Sequence, residues 1–324
     1  MKFRAPGRIA HQKGLSLIEL MVAILLSSLL LLGVLQMFSD STASDRANTA
    51  LARLQENGRV ALDLIKQDLR RTSYQGCVSP FRESRDNSTR TFPRDAIGAP
   101  ITASVEGANT GSDTLAIFYA RPSPAQVTSI SGGSITFITN ENDLEGDNRE
   151  LVLTNCIEVA IFRGNISARS ASNVEPLQHR YTVTLAAGSP NTTGFSVGSS
   201  ILQMAQVTYR VQADAANNNR PTLFRGNDAT VADVENMQVL YGVCEGGQTR
   251  WVNAGGLNDT LRARVNQLQI SLVIASPDNA ASGTSNQAFN IANLGNNTVL
   301  AAANDQRLRR VFNTVVDMRN RQCQ

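Results

Sequence analysis

The chain has 324 residues, of which 5% are aromatic, and a formal net charge of +3. Four of its 30 basic side chains stand in the first 14 residues with no acid among them, so the remainder carries 26 basic against 27 acidic side chains. A chain this close to neutral lacks the clustered positive charge of a general nucleic-acid-binding protein, and its length allows one or two domains beyond any membrane segment.

The first predicted element is a membrane-spanning helix. A basic leader, residues 1–14, precedes an almost wholly apolar run, residues 15–38. As a helix this run would be about 36 Å long, enough to cross a hydrocarbon core of about 30 Å. The leader's positive charges should hold the N-terminal end on the cytoplasmic side. An ordinary secretory signal has a shorter core followed by a small-residue cleavage site, so a single-pass anchor is the simpler alternative.

One carboxylate, Glu19, interrupts the apolar run. A charged side chain inside a bilayer is costly, and a plain anchor would be satisfied without it. We therefore treat Glu19 as a candidate functional residue. The alternative, an anchor whose acid reaches the interface from the helix end, stays open.

The helix is predicted to continue through residues 39–76 as an amphipathic half. No proline occurs from Ser39 to Tyr74, and apolar residues recur at helical spacing among charged ones. This pattern indicates a helix that lays one face on a globular domain. Gly33 and Gly58 are expected points of bending, and Gly76 is the expected stop.

Residues 77–324 are predicted to form a β-rich head, which makes the fold class α+β. The nine predicted strands are 114–120, 134–139, 150–155, 159–164, 180–186, 204–213, 237–243, 268–275 and 309–319. Several alternate cleanly between apolar and polar residues, as half-buried strands do. The stretches 81–100, 213–221 and 276–287 are predicted to be loops, because they are polar and rich in proline, glycine, asparagine or serine.

The sequence offers no strong metal motif. The four cysteines, Cys77, Cys156, Cys244 and Cys323, form no CxxC pair, and four dispersed cysteines in an exported chain predict two disulfides with three possible connectivities. The acidic stretch at 139–148 can be compared with an EF-hand loop by placing Gly146 at the sixth position, but the match fails. That register places Val152 where a bidentate glutamate is required, so no calcium site and no other cofactor is predicted.

The junction between the leader and the apolar run resembles the class III signal of type IV pilins and pseudopilins. Gly14 ends the basic leader, Leu15 follows it, and Glu19 is the fifth residue counted from Leu15. The resemblance implies that a prepilin peptidase cuts after Gly14 and methylates the new N-terminus at Leu15. It also implies that Glu19 pairs with the α-amine of a neighbouring subunit during filament assembly. Leu15 departs from the phenylalanine that is commonest in major pilins.

Further stretches are similar to the PilW family of minor pilins. They are "QENGRVALDLIKQDLRRTSYQGC" at 55–77, "PTLFR" at 221–225, "VENMQVLYGV" at 234–243 and "LRRVFNTVVDMRNR" at 308–321. This resemblance implies a long N-terminal helix packed on a β-rich head. It implies a subunit held by a single span in the inner membrane, with its head on the periplasmic side, that later joins the extracellular pilus at its tip.

The same resemblance implies the partners of the chain. They are the major pilin, the other minor pilins of a priming or tip complex, the prepilin peptidase, the inner-membrane assembly platform and a tip adhesin. Within this frame we favour the disulfides Cys77–Cys156 and Cys244–Cys323, and free buried thiols are the alternative.

Three other functions are weighed against a structural role in pilus assembly. A pseudopilin of a type II secretion system would share the helix and its processing. An anchored enzyme would depend on His179, the one histidine beyond the leader, and no nucleophile or phosphate-binding motif accompanies it. A DNA receptor would need a local basic patch on a near-neutral chain. We therefore expect no catalysis, and the DNA-receptor alternative stays open because the sequence does not reveal such a patch.

Overall fold

The computed structural model describes residues 16–78, 85–86, 111–122, 125–174, 177–185, 192–262, 264–281, 283–284, 289–290, 299–300 and 303–318. It confirms the predicted fold class, because one long N-terminal helix leads into a β-rich head.

The helix, α1, spans Leu17–Arg71 and would be about 80 Å long. It is continuous through Gly33 and Gly58. Its buried residues recur every three or four positions and so form one stripe along the second half: Ala50, Leu54, Gly58, Ala61, Ile65, Asp68 and Leu69.

The helix ends before the predicted stop at Gly76 because the following residues join a strand. The Thr72 N–H donates to the Leu69 carbonyl, and Ser73 turns the chain with φ of 63°. The Ser73 N–H then donates to the carbonyl of Phe118, at 3.1 Å. This early bond to the sheet, rather than a glycine, terminates the helix.

The described head contains seventeen strands, one short α-helix and two single-turn 3₁₀ helices, Ala215–Asn217 and Ala254–Gly256. The first nine strands are β1 Arg85–Asp86, β2 Leu115–Ala120, β3 Gln126–Ser131, β4 Ser134–Thr139, β5 Gly146–Thr154, β6 Glu158–Ile166, β7 Ser170–Val174, β8 Leu177–Leu185 and β9 Ser200–Asp214. The remaining elements are β10 Arg220–Arg225, β11 Asp228–Ala232, β12 Val234–Glu245, β13 Gln248–Val252, α2 Asp259–Arg262, β14 Val265–Asn279, β15 Phe289–Asn290, β16 Val299–Leu300 and β17 Arg307–Asp317.

The helix packs on a four-stranded antiparallel sheet in the order β13–β12–β14–β17. The predicted alternation along β14 is confirmed, because Leu268, Ile270, Leu272 and Ile274 are all fully buried in the core that also holds the helix stripe. Leu268 lies opposite Val316 and Leu272 lies opposite Phe312, so β17 adds to the same face.

A second sheet closes into a barrel beside the four-stranded sheet, which we call the platform sheet. Strands β5, β9, β3, β4, β8 and β6 pair in turn, and the pairing of β6 with β8 completes the ring. Its interior is a separate apolar core that includes Phe137, Phe162 and Tyr181. The long strand β9 runs on beyond the barrel, because its first residues pair with β5 and its later ones with β2 and β10. The β10–β11 hairpin therefore extends the sheet from β9. In the later part of β9, Val207 and Tyr209 lie in the apolar core that also holds the buried face of β14.

Each of the nine predicted strands is present, whereas several shorter strands were missed. The missed ones include β3, β7, β10, β11 and β13. The predicted loop at 276–287 is wrong at its start, because β14 continues to Asn279 and pairs there with Arg307. Most of the predicted loop at 81–100 lies outside the described residues.

Candidate assembly interface

The apolar half of α1 has no packing partner within the described chain. All large apolar side chains from Leu17 to Phe38 are more than half exposed, and Ala50 is the first buried residue of the helix. An 18-residue window of this segment has a mean hydropathy of 2.6. By length and composition, this helix could cross a membrane. An exposed apolar surface of this size indicates a site of membrane or protein contact.

Glu19 lies in the first turn of α1, at the start of this exposed segment. A carboxylate is favoured there by the positive end of the helix dipole. Gly14 and Leu15 lie outside the described residues, so cleavage and methylation at that junction stay predictions.

The second half of α1 is fixed to the head by close packing at Gly58. A β carbon at this residue would stand 2.5 Å from Cε1 of Phe312 on β17. Glycine therefore allows the strand to approach the helix backbone. The helix is unbroken at this residue, and the predicted bend stays a prediction.

A buried carboxylate, Asp68, forms the polar part of the same contact. Its Oδ2 accepts hydrogen bonds from the Tyr209 hydroxyl and from Nε of Arg225, both at 2.7 Å. Asp68 is 4% exposed. Burial, and then the bond to Asp68, raise the pKa of the Tyr209 phenol, so it remains a donor. The cluster joins α1 to β9 and β10, which makes helix and head one unit.

A second ionic cluster secures the chain between β11 and β12 to β17. Arg307 and Arg220 both donate to Asp233, and Arg309 donates to Glu235 and Asp305. The bond from Arg309 lowers the pKa of Asp305 to about 2. Because these charges are largely buried and paired, we interpret them as structural.

Asp113 ties the segment before β2 to the platform sheet. Its N–H donates to the Met237 carbonyl at 2.8 Å, and its Oδ2 accepts from the Val239 N–H at 2.9 Å. Burial raises the pKa of this carboxyl to about 6, against the lowering effect of the Val239 bond. The neighbouring Tyr241 is fully buried, and its hydroxyl has no hydrogen-bond partner among the described residues.

The disulfide Cys77–Cys156 is present, and it is one of the two pairings that we favoured. It ties the chain just beyond α1 to the turn between β5 and β6. Cys244 is also disulfide-bonded. Cys323 lies outside the described residues, so its pairing with Cys244 stays a prediction that non-reducing peptide mapping can test.

Nothing in the described residues suggests a catalytic or metal centre. His179 is half-buried on β8, opposite Thr139 and Ala171 in the sheet. Among these residues, no group of three or more His, Cys, Asp or Glu side chains could hold a metal ion. In the acidic stretch 139–148, the Asn142 amide oxygen accepts a hydrogen bond from Arg169.

The sequence did not identify Asp68, Asp113 or the role of Gly58. Asp68 meets Tyr209 and Arg225 across separations of 141 and 157 residues, and no local pattern encodes such a pairing. The one available signal was the position of Asp68 among apolar residues of the helix stripe, where a solvent-facing acid would not be expected.

Comparison with known proteins gives two family matches. The family described as type IV pilus-assembly protein W matches residues 196–320, and the prokaryotic N-terminal methylation motif matches residues 9–35. No curated protein matches the chain. One similar solved structure is a type IV-like pilin from Thermus thermophilus, with a sequence identity of 17%. The match covers 54% of this chain and 85% of the Thermus chain, and the TM-score is 0.23. The first match spans β9 to β17, whereas barrel strands β3 to β8 precede it.

Proposed function

We propose that the chain is a PilW-like type IV minor pilin that takes part in pilus assembly, a proposal that the two family matches support. We further propose that it is cleaved after Gly14 and joins a priming complex of minor pilins at the pilus tip. Before assembly, a single span would hold it in the inner membrane with the head on the periplasmic side. The expected partners are the major pilin, the other minor pilins, the prepilin peptidase, the assembly platform and a tip adhesin. Its mechanism is assembly, with no catalytic step assigned.

The observation that carries this proposal is the exposed half-helix with its single acid. The methylation motif spans residues 9–35, which include Gly14, Leu15 and Glu19. The structure leaves the apolar side chains from Leu17 to Phe38 exposed while the rest of the helix is anchored to the head. One helix can thus serve first as a membrane anchor and later as the part of the subunit that packs in a filament core.

The cost of burying Glu19 differs between these two surroundings. In the bilayer the residue stands near the end of the span, where an acid can reach the interface. Inside a filament it would be enclosed by neighbouring helices, and an isolated buried charge is strongly unfavourable. Cleavage after Gly14 would create a positive α-amine at Leu15. Pairing that amine with Glu19 of a neighbour would offset the desolvation of both charges and favour the register that brings them together.

The proposal is tested by the mass and N-terminus of the chain from cells with and without the prepilin peptidase. We expect a chain that starts at N-methylated Leu15 only when the peptidase is present. A chain that keeps residues 1–14 in both strains would overturn the cleavage. Normal pili in a strain that lacks this chain would contradict the role in assembly.

A further inference from the structure

One side of strand β9 is interrupted between two neighbouring strands. On its first side, β9 pairs with β2 without a break from Met204 to Tyr209. On its second side, the β5 ladder stops where Leu151 lies opposite Gln203, and the β10 ladder begins where Arg225 lies opposite Tyr209. Within the described residues, the interval 204–208 therefore has no paired strand on that side.

The backbone of Gln206 faces this gap. The Gln203 carbonyl accepts from the Arg121 N–H at 2.8 Å, so odd-numbered residues of β9 bond toward β2. Because the bonding direction alternates along an antiparallel strand, even-numbered residues bond toward the second side. Thr208 agrees with this, since its carbonyl accepts from Gly226 beyond β10. The N–H and C=O of Gln206 thus point to the side where neither ladder continues.

A cleft of about 420 Å³ lies at the same place. Phe118, residues 146–150 and residues 203–206 line it. The first half of β5 forms one wall. It pairs with β6, with a register shift between Gly146 and Arg149, and its pairing with β9 begins only at Leu151. A bond from the Asn148 N–H to Oδ1 of Asn165 holds this wall toward β6. The opening is therefore built by described contacts on both sides.

The cleft lies on the face of the sheet that is turned away from the helix. Tyr209 points toward α1, since its hydroxyl binds Asp68. Side chains alternate along a strand, so Met204 and Gln206 point to the opposite face. Phe118 lies opposite Gln206 and shares that face. A partner could reach this floor while α1 is packed among other helices.

We propose that this cleft, the β9 slot, binds a short extended segment of a partner polypeptide. The segment would exchange backbone hydrogen bonds with Gln206 and lay an apolar side chain on Phe118 and Met204. An extended chain supplies the alternating donor and acceptor that an open strand position lacks, and side-chain contacts then give selectivity.

Three charged residues of the described chain line the cleft: Asp147, Arg149 and Glu150. Arg149 donates to the Glu145 carbonyl and Glu150 accepts from Arg163. The exposed carboxylate of Asp147 therefore favours a segment with a basic residue beside the apolar one.

This inference rests on the proposed role in assembly, because it names how one partner attaches from outside the filament. The test uses the full chain in piliated cells, with a photo-crosslinking amino acid at Asp147. Ser129 is the control position, since it is an exposed residue on β3 of the same barrel. We expect a discrete product from position 147 that mass spectrometry assigns to one contiguous segment of another polypeptide, and no such product from position 129.

Two substitutions then separate backbone from side-chain recognition. Gln206→Pro removes the N–H that faces the slot, a change that strands tolerate where that group is unpaired. Gln206→Ala removes the side chain and keeps the N–H. The loss of one backbone hydrogen bond should reduce the crosslinked product about tenfold in the proline variant, with less than about a twofold change in the alanine variant.

The outcomes distinguish the slot from the function on which it depends. Three results would overturn the slot. The first is an equal amount of crosslinked product from the two Gln206 variants. The others are crosslinks only to lipid, glycan or this chain itself, and no product above that of the control at position 129. If Gln206→Pro fails to fold, amide hydrogen exchange decides on the unsubstituted chain. The amide of Gln206, which faces the slot, must exchange at least about tenfold more slowly in assembled pili than in the chain in detergent, and equal rates overturn the slot. If the slot is overturned but pilus formation still requires this chain, the proposed function stands.

Discussion

The ring of Phe312 on β17 occupies the space that a β carbon at residue 58 of α1 would need. That β carbon would stand 2.5 Å from Cε1 and Cζ of the ring and 2.6 Å from Cδ1. A glycine in a helix interior ordinarily weakens the helix by about 1 kcal/mol relative to alanine. Its presence here is explained by the close approach of helix and sheet.

We therefore predict that Gly58→Ala lowers the free energy of unfolding by about 1–3 kcal/mol, because the overpacking exceeds the gain in helix propensity. Urea unfolding of the detergent-solubilised full chain measures this. Gly33→Ala is the matched control, since no atom lies within 4 Å of a β carbon there, and it should leave the head as stable as before. Combining Gly58→Ala with Phe312→Leu should recover part of the loss, and strict additivity of the two would contradict the steric explanation.

The Asp68 cluster makes a second prediction about stability. Tyr209→Phe removes one hydrogen bond to a buried carboxylate and should cost about 1.5–3 kcal/mol. Asp68→Asn should cost about 2–4 kcal/mol, because it also removes the charge that Arg225 pairs with. The double variant should cost less than the sum, since both changes disrupt one network.

The control for this cluster lies about one and a half helical turns away. Asp63 pairs with Arg59 at 3.8 Å, but their side chains are 56% and 86% exposed. Asp63→Asn should therefore change stability by less than about 0.5 kcal/mol. Equal effects at positions 63 and 68 would show that Asp68 does not hold the head to the helix.

Much of the fold was predictable because its signals are local. The uninterrupted run without proline predicted α1, and strict alternation predicted strands such as β14, whose apolar face meets the helix. Strands β3 and β7 were missed because their sequences, "QVTSIS" and "SASNV", are polar and rich in serine. Their strand form depends on pairing with β4 and β8, which composition does not express.

The remaining features depend on contacts between distant parts of the chain. The barrel closes only when β6 meets β8 and β3 meets β9, and no single segment encodes that ring. The β9 slot is less visible still, because it is a place where two ladders stop. Of the candidate site, the sequence identified Glu19 through its conflict with an apolar run, whereas Asp68 required the fold to show its partners.

Asp113 predicts a pH dependence of stability with a definite sign. Its pKa rises from 3.8 to about 6 in the fold, so the folded state disfavours the ionised carboxylate. As pH increases from about 4 to about 6 the unfolded chain loses this proton first, and folding stability falls by up to about 3 kcal/mol from this group. Asp113→Asn keeps an acceptor for the Val239 N–H and removes the charge.

We expect Asp113→Asn to be more stable than the unsubstituted chain at pH 7.5, with the difference shrinking or reversing at pH 4.5. Urea midpoints at the two pH values measure this. Asp228→Asn, which changes an exposed acid on β11, should leave the pH profile unchanged. A parallel shift of the Asp113→Asn variant at both pH values would mean that burial of the charge is not the cause.

Glu19 gives the prediction closest to function. Glu19→Ala should leave membrane insertion intact, because the apolar run retains its length and loses a charge. Cleavage should also persist, since the substitution leaves Gly14 and Leu15 unchanged. Incorporation into pili should fall at least about tenfold, because a neighbour's α-amine would then be buried without its partner, and breaking a buried pair costs about 3–5 kcal/mol.

Immunoblots of sheared pili and of membranes separate these steps. Asp40→Ala is the control, as it removes an exposed acid of the same helix just beyond the apolar run and should incorporate normally. Glu19→Gln tests charge against shape, and it should resemble the alanine variant, because an amide cannot neutralise an ammonium group. Normal incorporation of Glu19→Ala would mean that the acid does not select the register of the subunit, and that its place in the apolar run serves the membrane interface alone.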